Sequence, residues 1–216
     1  MKKYYPVSLD ITGKKCVIVG GGTVAERKAE RLLECGARVT VVSRSLTLPL
    51  EGRIKAGEID HIDADYDKKA LHGVVLVIGA TDREDVNGQI SKDALSMGLL
   101  VNIVDDPGRC NFILPALVQQ GDLSIAISTG GRSPALARKL REDLQQQYGP
   151  EYQILLGIMG SLREEILNRG YAPQDNKVVF ENIVHSEILQ AIRNRDRLRV
   201  KKIIYDFSGI DMDVTL

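Results

Sequence analysis

Short runs of apolar residues alternate along the chain with longer segments in which apolar positions recur at helical spacing. The apolar runs are Lys15–Val19, Arg38–Val42, Val74–Ala80 and Leu99–Val104, with Gly57–Ile62 as a weaker fifth. Runs of this length predict strands that are buried on both faces. Thr23–Cys35 and Asp85–Met97 predict helices, and a glycine follows each of them. The pattern predicts an α/β fold that begins with a Rossmann-like parallel sheet covered by helices on both sides.

The pattern changes after Val104. Two further strands are predicted at Phe112–Val118 and Leu123–Ser128, and helices at Ala135–Tyr148 and over about 151–199, with an interruption at Gly170–Asp175. The last residues, from Asp206 onward, have no clear pattern. We therefore predict a Rossmann domain at residues 1–112, a central α+β segment at 113–148 and a helical C-terminal domain at 149–216.

Charge and composition exclude several classes of protein. Lys and Arg together number 29, as do Asp and Glu, so no overall basic field favours nucleic acid or an anionic membrane. No apolar run reaches the roughly 18 residues that span a bilayer, and no apolar segment follows the N-terminal lysines as in a signal peptide. Cys16, Cys35 and Cys110 are widely spaced and form no metal-type pair, which favours a reducing, cytoplasmic setting and predicts no bound metal.

The first candidate site is the glycine loop between the first predicted strand and helix. Gly20-Gly21-Gly22-Thr23-Val24-Ala25 fits G-x-G-x-x-A, in which the third position is small so that helix and strand pack closely. In this motif the first glycine permits a tight turn, and the next lets the backbone approach a pyrophosphate. We therefore predict that Gly20, Gly21, Gly22, Thr23 and Val24 bind a dinucleotide. A tight turn without a ligand is the alternative.

Residues after the second and fourth strands extend this candidate site. The second strand ends in Val42-Ser43-Arg44 and lacks the acidic residue that often binds the ribose. Ser43 could bond a ribose hydroxyl, and Arg44 could meet a 2′-phosphate or stack on adenine, so NAD and NADP both remain open. Thr81, with Asp82, is predicted either to cap the next helix or to contact the ligand.

The second candidate site follows the fifth strand. Asn102 interrupts that strand, and Asp105 and Asp106 stand at its carboxyl end, where open parallel sheets place catalytic groups. A carboxylate there could accept or relay a proton. The alternative is an Asp-Asp-Pro-Gly turn with no chemical role.

A second glycine turn, "TGGRSP", runs from Thr129 to Pro134 at the start of a helix. Four basic residues surround it, namely Arg132, Arg138, Lys139 and Arg141. A helix N-terminus with guanidinium groups nearby predicts an anion site, whereas the alternative is a solvated helix face.

Taken together, these segments resemble the precorrin-2 dehydrogenases, which include the N-terminal half of bacterial siroheme synthase. The resemblance extends over about the first 145 residues, in the order "YYPVSLDITGKKC", "VIVGGGTVAERKAERLLECGARVTVVS", "GATDREDVN" and "VNIVDDPGRCNFILPALVQQGDLSIAISTGGRSPALARKLRE". The combination is more specific than any one motif.

This resemblance implies an activity and an assembly. The family oxidises precorrin-2, a polycarboxylate tetrapyrrole, to sirohydrochlorin with NAD⁺ in siroheme or cobalamin biosynthesis. Some members also insert iron into the product as ferrochelatases. Members are homodimers in which the central segment mediates dimerisation. The implied catalytic residue is Asp105, and a family serine that can be phosphorylated falls on Thr129. The candidate substrate-binding residues are Asn102, Asn111, Thr129, Gly130, Gly131, Arg132, Ser133 and Arg138.

A regulatory module that binds NAD without catalysis is the competing hypothesis. Such modules share the glycine loop and the alternating pattern, but they usually carry an acidic residue at the end of the second strand. Nothing in their function requires the "VDDPGRCNF" and "STGGRSPALARKLRE" segments. We therefore expect an enzyme, with no nucleic-acid or membrane partner.

Overall fold

The computed structural model describes residues 3–170 and 173–216, apart from the side chains of residues 173–175. The chain divides into two compact units, one ending at Leu114 and the other beginning at Pro115. The first is an α/β unit and the second contains a hairpin and helices, so the predicted fold class is confirmed. The finer division into three domains stays a prediction.

A parallel five-stranded sheet forms the centre of the first unit. Its strands are β1 (Lys15–Val19), β2 (Arg38–Val42), β3 (Ile59–Ile62), β4 (Leu76–Gly79) and β5 (Leu100–Ile103). Their order across the sheet is β3-β2-β1-β4-β5, with β1 in the middle. Val19 is in register with both Val42 and Gly79, and Gly79 with Ile103, so four strands end at one level.

Helices cover both faces of this sheet. They are α1 (Thr23–Glu34), α2 (Leu48–Lys55) and α3 (Glu84–Ser96). Cys16 and Ile18 of β1 belong to a core cluster with Ala25 and Ala29 of α1. Val17 and Val19 belong to a second cluster that includes Ile90 and Ala94 of α3, which explains why the strand is apolar at each position after Lys15.

Two features of the first unit differ from the prediction. Helix α2 was not predicted, because Leu50 is its one buried residue among those described and the helical spacing is correspondingly weak. Strand β4 is shorter than the predicted Val74–Ala80, and Val75 ahead of it is exposed. The apolar run therefore extends beyond the residues that pair in the sheet.

The second unit begins with an antiparallel hairpin of β6 (Ala116–Gln120) and β7 (Leu123–Ile127). The helices that follow are α4 (Pro134–Gln147), α5 (Glu151–Asn168), α6 (Pro173–His185), α7 (Ile188–Arg193) and α8 (Arg197–Ser208). Strand β6 starts at Ala116, not at the predicted Phe112, and α6 begins inside the predicted interruption, part of which lies outside the described residues. None of the helices described is both long and apolar enough to cross a bilayer.

The residues after Asp206 show no clear pattern in the sequence, but they are ordered in the structure. Helix α8 continues to Ser208, and Gly209 ends it in a left-handed conformation with φ of 67°. Ile210 and Val214 are buried in the same cluster as Leu162 of α5. Single apolar residues in an irregular segment have no period, so sequence reasoning could not find them.

A buried carboxylate ties the segment before β4 to α3. Asp93 on α3 is only 6% exposed. Its Oδ2 accepts hydrogen bonds from Gln89 Nε2 at 2.9 Å and Tyr66 Oη at 3.2 Å, and Lys68 Nζ lies 3.4 Å from Oδ1. Burial raises the pKa of Asp93, but these three partners outweigh burial and hold the pKa below its ordinary value.

We expect the Asp93→Asn variant to lose about 1–3 kcal/mol of stability at neutral pH, because the amide cannot replace a charged acceptor. A carboxyl with a lowered folded-state pKa stabilises the fold fully above its ordinary pKa of 3.8, and that stability is lost as the pH falls through the folded-state value. Melting curves from pH 7 downward should therefore show the two proteins converging in acid. Asp60→Asn, a change at an exposed carboxylate of β3, is the control, and a constant difference at every pH would contradict this role of Asp93.

Candidate active site

The carboxyl ends of the parallel strands bring the predicted site residues of the first unit to one edge of the sheet. Gly20 N donates to Val42 O at 2.9 Å, Ala80 N to Val19 O at 2.8 Å, and Val104 N to Gly79 O at 2.9 Å. Backbone pairing thus continues to the residue after each of three strands. The glycine loop, the Thr81 loop and Asp105 follow immediately, as expected for an open parallel sheet.

The three glycines of the loop have different physical reasons to be glycine. Gly20 has a φ of +121°, and a Cβ there would lie 2.3 Å from Ala80 O. A Cβ on Gly21 would lie 1.9 Å from Ser45 O. A Cβ on Gly22, by contrast, would meet no atom of the described residues within 4 Å, and its φ of −83° suits any residue. Packing within the protein therefore requires glycine at the first two positions but leaves open space at the third.

Helix α1 begins at this open space. Gly22 is its N-cap residue, no side chain caps it, and the first intrahelical bond runs from Glu26 N to Gly22 O at 3.0 Å. The N–H groups of Thr23 and Val24 precede that bond, so they have no acceptor within the helix. An open approach at Gly22 and uncapped N–H groups at a helix N-terminus fit the pyrophosphate of a dinucleotide.

The loop after β2 packs against the glycine loop. Thr47 N donates to Gly21 O at 3.0 Å, and Thr47 Oγ1 donates to Glu26 Oε2 at 2.6 Å. Ser43 Oγ donates to Ser45 O at 2.7 Å and so closes its own turn. A contact between Ser43 and a ribose stays a prediction, because this hydroxyl already donates its hydrogen bond to Ser45 O within the loop.

Arg44 is paired with an acidic residue that the sequence analysis did not single out. Arg44 Nη2 lies 3.1 Å from Asp65 Oδ2, and both side chains are exposed. The hydrogen bond from Arg44 lowers the pKa of the Asp65 carboxyl. Asp65 comes after β3, the strand beside β2. A carboxylate is therefore present beside the end of β2, but it belongs to the loop that follows the neighbouring strand β3.

Thr81 does not cap the helix after β4, so the expectation that Thr81 or Asp82 would do so is wrong. The N-cap of α3 is Arg83, without a side-chain bond, because the helix begins only at Glu84. Thr81 Oγ1 instead accepts from Arg83 N at 3.2 Å, and Asn87 Nδ2 donates to Thr81 O at 2.9 Å. Ligand contact by Thr81 stays a prediction.

Asp105 and Asp106 have separate roles in the turn after β5. Asp105 lies in the left-handed region with a φ of 59°, and Asp106 N donates to Ile103 O at 3.2 Å across the turn. Asp106 Oδ1 accepts from Arg109 N at 3.3 Å, and Asp106 Oδ2 pairs with Arg109 Nε at 3.3 Å. Asp105 is exposed and has no hydrogen bond or ion pair in the described part of the chain. Asp106 thus builds the turn, and the Asp105 carboxylate is available for chemistry.

Lys28 is a charged residue near Asp105 that the sequence analysis missed. It lies half-buried on α1, and within the described residues its ammonium has neither a hydrogen bond nor an ion pair. Burial, and then Arg27, lower the pKa of Lys28, while the charge of Asp105 acts in the opposite direction. A lysine within a charged helical segment gives no sequence signal of this kind, because only the fold brings it near the turn.

The side chains of Asn111 and Asn102 form hydrogen bonds with backbone groups at and beside β5. Asn111 Oδ1 accepts from Val101 N and Asn111 Nδ2 donates to Leu99 O, both at 2.8 Å. Asn102 Nδ2 donates to Phe112 O at 3.2 Å. Both amides bind backbone groups here, and their predicted contacts with a substrate stay predictions.

The second glycine turn lies wholly in the second unit. Gly130 and Gly131 have positive φ, and Ser133 Oγ accepts from Leu136 N at 3.1 Å, which caps α4. Thr129 Oγ1 accepts from Ser133 N at 3.2 Å. Three of the four nearby basic residues have acidic partners one turn away or adjacent, in the pairs Arg138–Glu142, Lys139–Asp143 and Arg141–Glu142. The positive charge of this surface is therefore partly compensated.

The described residues contain no group of three or more His, Cys, Asp or Glu side chains that could hold a metal ion. Cys16, Cys35 and Cys110 form no disulfide within the described residues, and Cys16 and Cys110 are buried.

Comparisons with known proteins agree with this geometry. A family model described as "Putative NAD(P)-binding" matches residues 7–116, and a second, "Sirohaem biosynthesis protein central", matches residues 120–147. The resemblance inferred from the motifs is thereby confirmed, as is the class of cofactor. The first model covers the sheet and every predicted cofactor-binding residue.

Curated relatives extend the similarity over most of the chain. Siroheme synthase 1 of Aeromonas salmonicida is 36% identical over 201 residues, which are 93% of this chain and 43% of that protein. Siroheme synthase 2 of Yersinia enterocolitica is 34% identical over 92% of this chain and 42% of its own length. The chain thus spans less than half the length of these relatives. A solved structure titled "SirC, precorrin-2 dehydrogenase" shares the fold with a TM-score of 0.82 and 24% identity, covering 96% of this chain and 100% of that one.

We expect the Gly22→Ala variant to fold normally and to bind NAD about tenfold or more weakly, a loss of about 1.4 kcal/mol. The added methyl group has room in the protein itself, so stability should fall by no more than about 1 kcal/mol. Titration calorimetry with NAD⁺ and a melting curve measure the two quantities. Gly52→Ala, in equally open space on α2, is the matched control and should leave NAD binding unchanged. Unaltered NAD affinity in Gly22→Ala would place the cofactor elsewhere.

Proposed function

This chain belongs to the "Putative NAD(P)-binding" family, and on that premise we propose that it oxidises precorrin-2 to sirohydrochlorin with NAD⁺. The similarity to siroheme synthases over more than nine-tenths of the chain supports this substrate. The fold shared with a precorrin-2 dehydrogenase is compatible with it.

One observation carries the proposal: a carboxylate with no hydrogen bond or ion pair among the described residues stands at the same sheet edge as a loop suited to a dinucleotide. Asp105 follows β5, and the glycine loop follows β1, with β4 between them. An NAD sensor would have no need for an unpaired carboxylate held in a left-handed turn. A dehydrogenase needs one, because oxidation of a carbon–carbon bond releases a proton as well as a hydride.

The oxidation balances with these groups. NAD⁺, when held at the glycine loop, would supply the acceptor for a hydride, that is, for two electrons and one hydrogen of precorrin-2. The accompanying proton passes to an Asp105 carboxylate oxygen and then to water, because this side chain is exposed. The positive charge of Lys28 interacts with the negative charge of the Asp105 carboxylate.

The substrate contacts in the second unit belong to this proposal as well. Gly130, Gly131, Arg132 and Ser133 form the turn before α4, and Thr129 and Arg138 flank it. The guanidinium groups are exposed, and an ion pair such as Arg138–Glu142 can be exchanged for a substrate carboxylate at small cost. Iron insertion into the product stays a prediction.

We also propose a cytoplasmic homodimer. Leu136 and Leu140 lie one turn apart on α4 and are exposed, in the segment that matches the sirohaem central model. Exposed apolar residues at this spacing favour a protein contact. The absence of a disulfide among the three cysteines in the described structure suits a reducing compartment. Light scattering of the purified protein would measure its oligomeric state.

NAD is proposed in preference to NADP because of the pair between Arg44 and Asp65. A 2′-phosphate bound by Arg44 would also stand beside the Asp65 carboxylate, whose negative charge repels it. In NAD the same position carries a hydroxyl, which a carboxylate can bond.

Incubation of the purified protein with precorrin-2 and NAD⁺ should form NADH and sirohydrochlorin, followed by their absorption. The Asp105→Asn variant should lose turnover by at least about a hundredfold and keep its NAD affinity. Asparagine is the suitable replacement because it tolerates the left-handed backbone that Asp105 adopts, so the change removes the charge alone.

The control is Asp60→Asn, which makes the same change at an exposed position on β3. Absence of NADH above the rate without protein, with NAD still bound, would overturn the proposal in favour of a regulatory module. Turnover of Asp105→Asn near that of the unaltered protein would remove Asp105 from the mechanism.

We expect the Asp65→Asn variant to bind NADP better relative to NAD, with the ratio of dissociation constants shifting by about tenfold. The change frees Arg44 for a 2′-phosphate. Adding Arg44→Ala should abolish the gain, and Asp63→Asn, an exposed carboxylate nearby that forms no ion pair in the described chain, should have little effect. Calorimetric titration with each cofactor decides the matter, and an unchanged ratio in Asp65→Asn would show that the pair does not select the cofactor.

A further inference from the structure

The thiol of Cys110 joins the two ends of the Asp105 turn. Ile103 N, before the turn, donates to Cys110 Sγ at 3.1 Å. After the turn, Asp106 O lies 3.1 Å from the same sulfur, placed to accept from the thiol, and Ile103 O lies at 3.3 Å as the alternative acceptor. Asn102 Nδ2 adds a longer contact of 3.6 Å. A side chain that is 3% exposed thus bonds backbone groups on both sides of Asp105.

The turn needs such a restraint because Asp105 adopts an unfavourable backbone conformation. Its φ of 59° lies where residues other than glycine or asparagine are uncommon, and such a conformation persists only when its surroundings fix it. The Asp105 side chain offers no help, since it has no hydrogen bond or ion pair within the described residues. Backbone contacts alone therefore determine where the carboxylate stands.

Cys110 also solves a problem at the edge of the sheet. Strand β5 is an edge strand, so alternate N–H groups face away from β4. Ile103 N is such a group, and it is buried with its residue. The thiol accepts its hydrogen bond where a sixth strand would otherwise be needed. Removing the sulfur would leave a buried donor unsatisfied immediately before the turn.

We propose that Cys110 is a positioning residue for the proposed dehydrogenation: its thiol holds the Ile103–Asp106 turn so that the Asp105 carboxylate stands where it accepts the substrate proton. The proposal rests on the function assigned to Asp105 above. It goes beyond that function by naming the side chain that fixes the geometry of the carboxylate. Misplacement of a catalytic group by about 1 Å lowers rates by up to about a hundredfold.

The test compares two buried cysteines of the same unit. Cys110→Ala should lower kcat for precorrin-2 oxidation by between about tenfold and about a hundredfold, with the dissociation constant for NAD unchanged. Cys16→Ala is the matched control, since Cys16 is fully buried near the start of β1, the central strand, and the change removes the same atoms. Cys110→Ser keeps a donor and an acceptor at the same position, and it should recover part of the lost kcat.

A double variant links the effect to Asp105. Because Cys110 acts through that carboxylate, Cys110→Ala should lower the rate no further in the Asp105→Asn background. Equal losses of kcat in Cys110→Ala and Cys16→Ala would indicate general destabilisation of the core and would overturn the proposal. Full additivity in the double variant would do the same.

A second measurement does not depend on turnover. Hydrogen exchange of the Ile103 and Asp106 amides should be faster in Cys110→Ala than in the unaltered protein, and unchanged in Cys16→Ala. If precorrin-2 is not oxidised but exchange responds as expected, the proposed function fails and the restraint by Cys110 stands. Unchanged exchange in Cys110→Ala would overturn the restraint itself, whatever the activity.

Discussion

Parallel pairing of β1 with both β2 and β4 is the constraint on which the candidate site depends. Because all strands run in one direction and Val19, Val42 and Gly79 are in register, the loops that follow them begin at the same level. The tight turn at Gly20 is a consequence, since the chain must pass Ala80 O at a distance that no side chain permits. The open space at Gly22 follows directly after this crowded passage, so one stretch combines close packing with access for a ligand.

The same sheet creates a difficulty at β5, which has a partner on one side only. Cys110 and Asn111 meet it with side chains that bond the outward-facing backbone of Leu99, Val101 and Ile103. This arrangement ends the sheet without a sixth strand and turns the chain back at Asp105, the proposed proton acceptor. The same side chains thus satisfy the edge of the sheet and fix the turn that carries the carboxylate.

Much of the fold could be predicted because β1 and its neighbours are apolar on both faces, a pattern with few interpretations. Helix α2 was not predicted from the sequence, because it buries few side chains. The burial of Ile210 and Val214 was not predicted either, because isolated apolar residues show no periodicity. In the site, the glycine loop was predictable from its motif. The pairing of Arg44 with Asp65 was not, since it joins the ends of two different strands. Local sequence likewise cannot show that Cys110 bonds across a turn or that Lys28 lies near Asp105.

The contrast between Asp105 and Asp106 shows why adjacency in sequence does not imply a shared role. Both carboxylates follow β5, yet Asp106 satisfies Arg109 N and the Arg109 side chain, so it is already committed to the turn. Asp105 bears the backbone strain, and its side chain forms no hydrogen bond or ion pair with the residues that the structure describes. A strained residue without a stabilising partner adds nothing to the fold that glycine would not provide at lower cost. What an aspartate adds at this position is its charge, and in the proposed reaction that charge accepts a proton from the substrate.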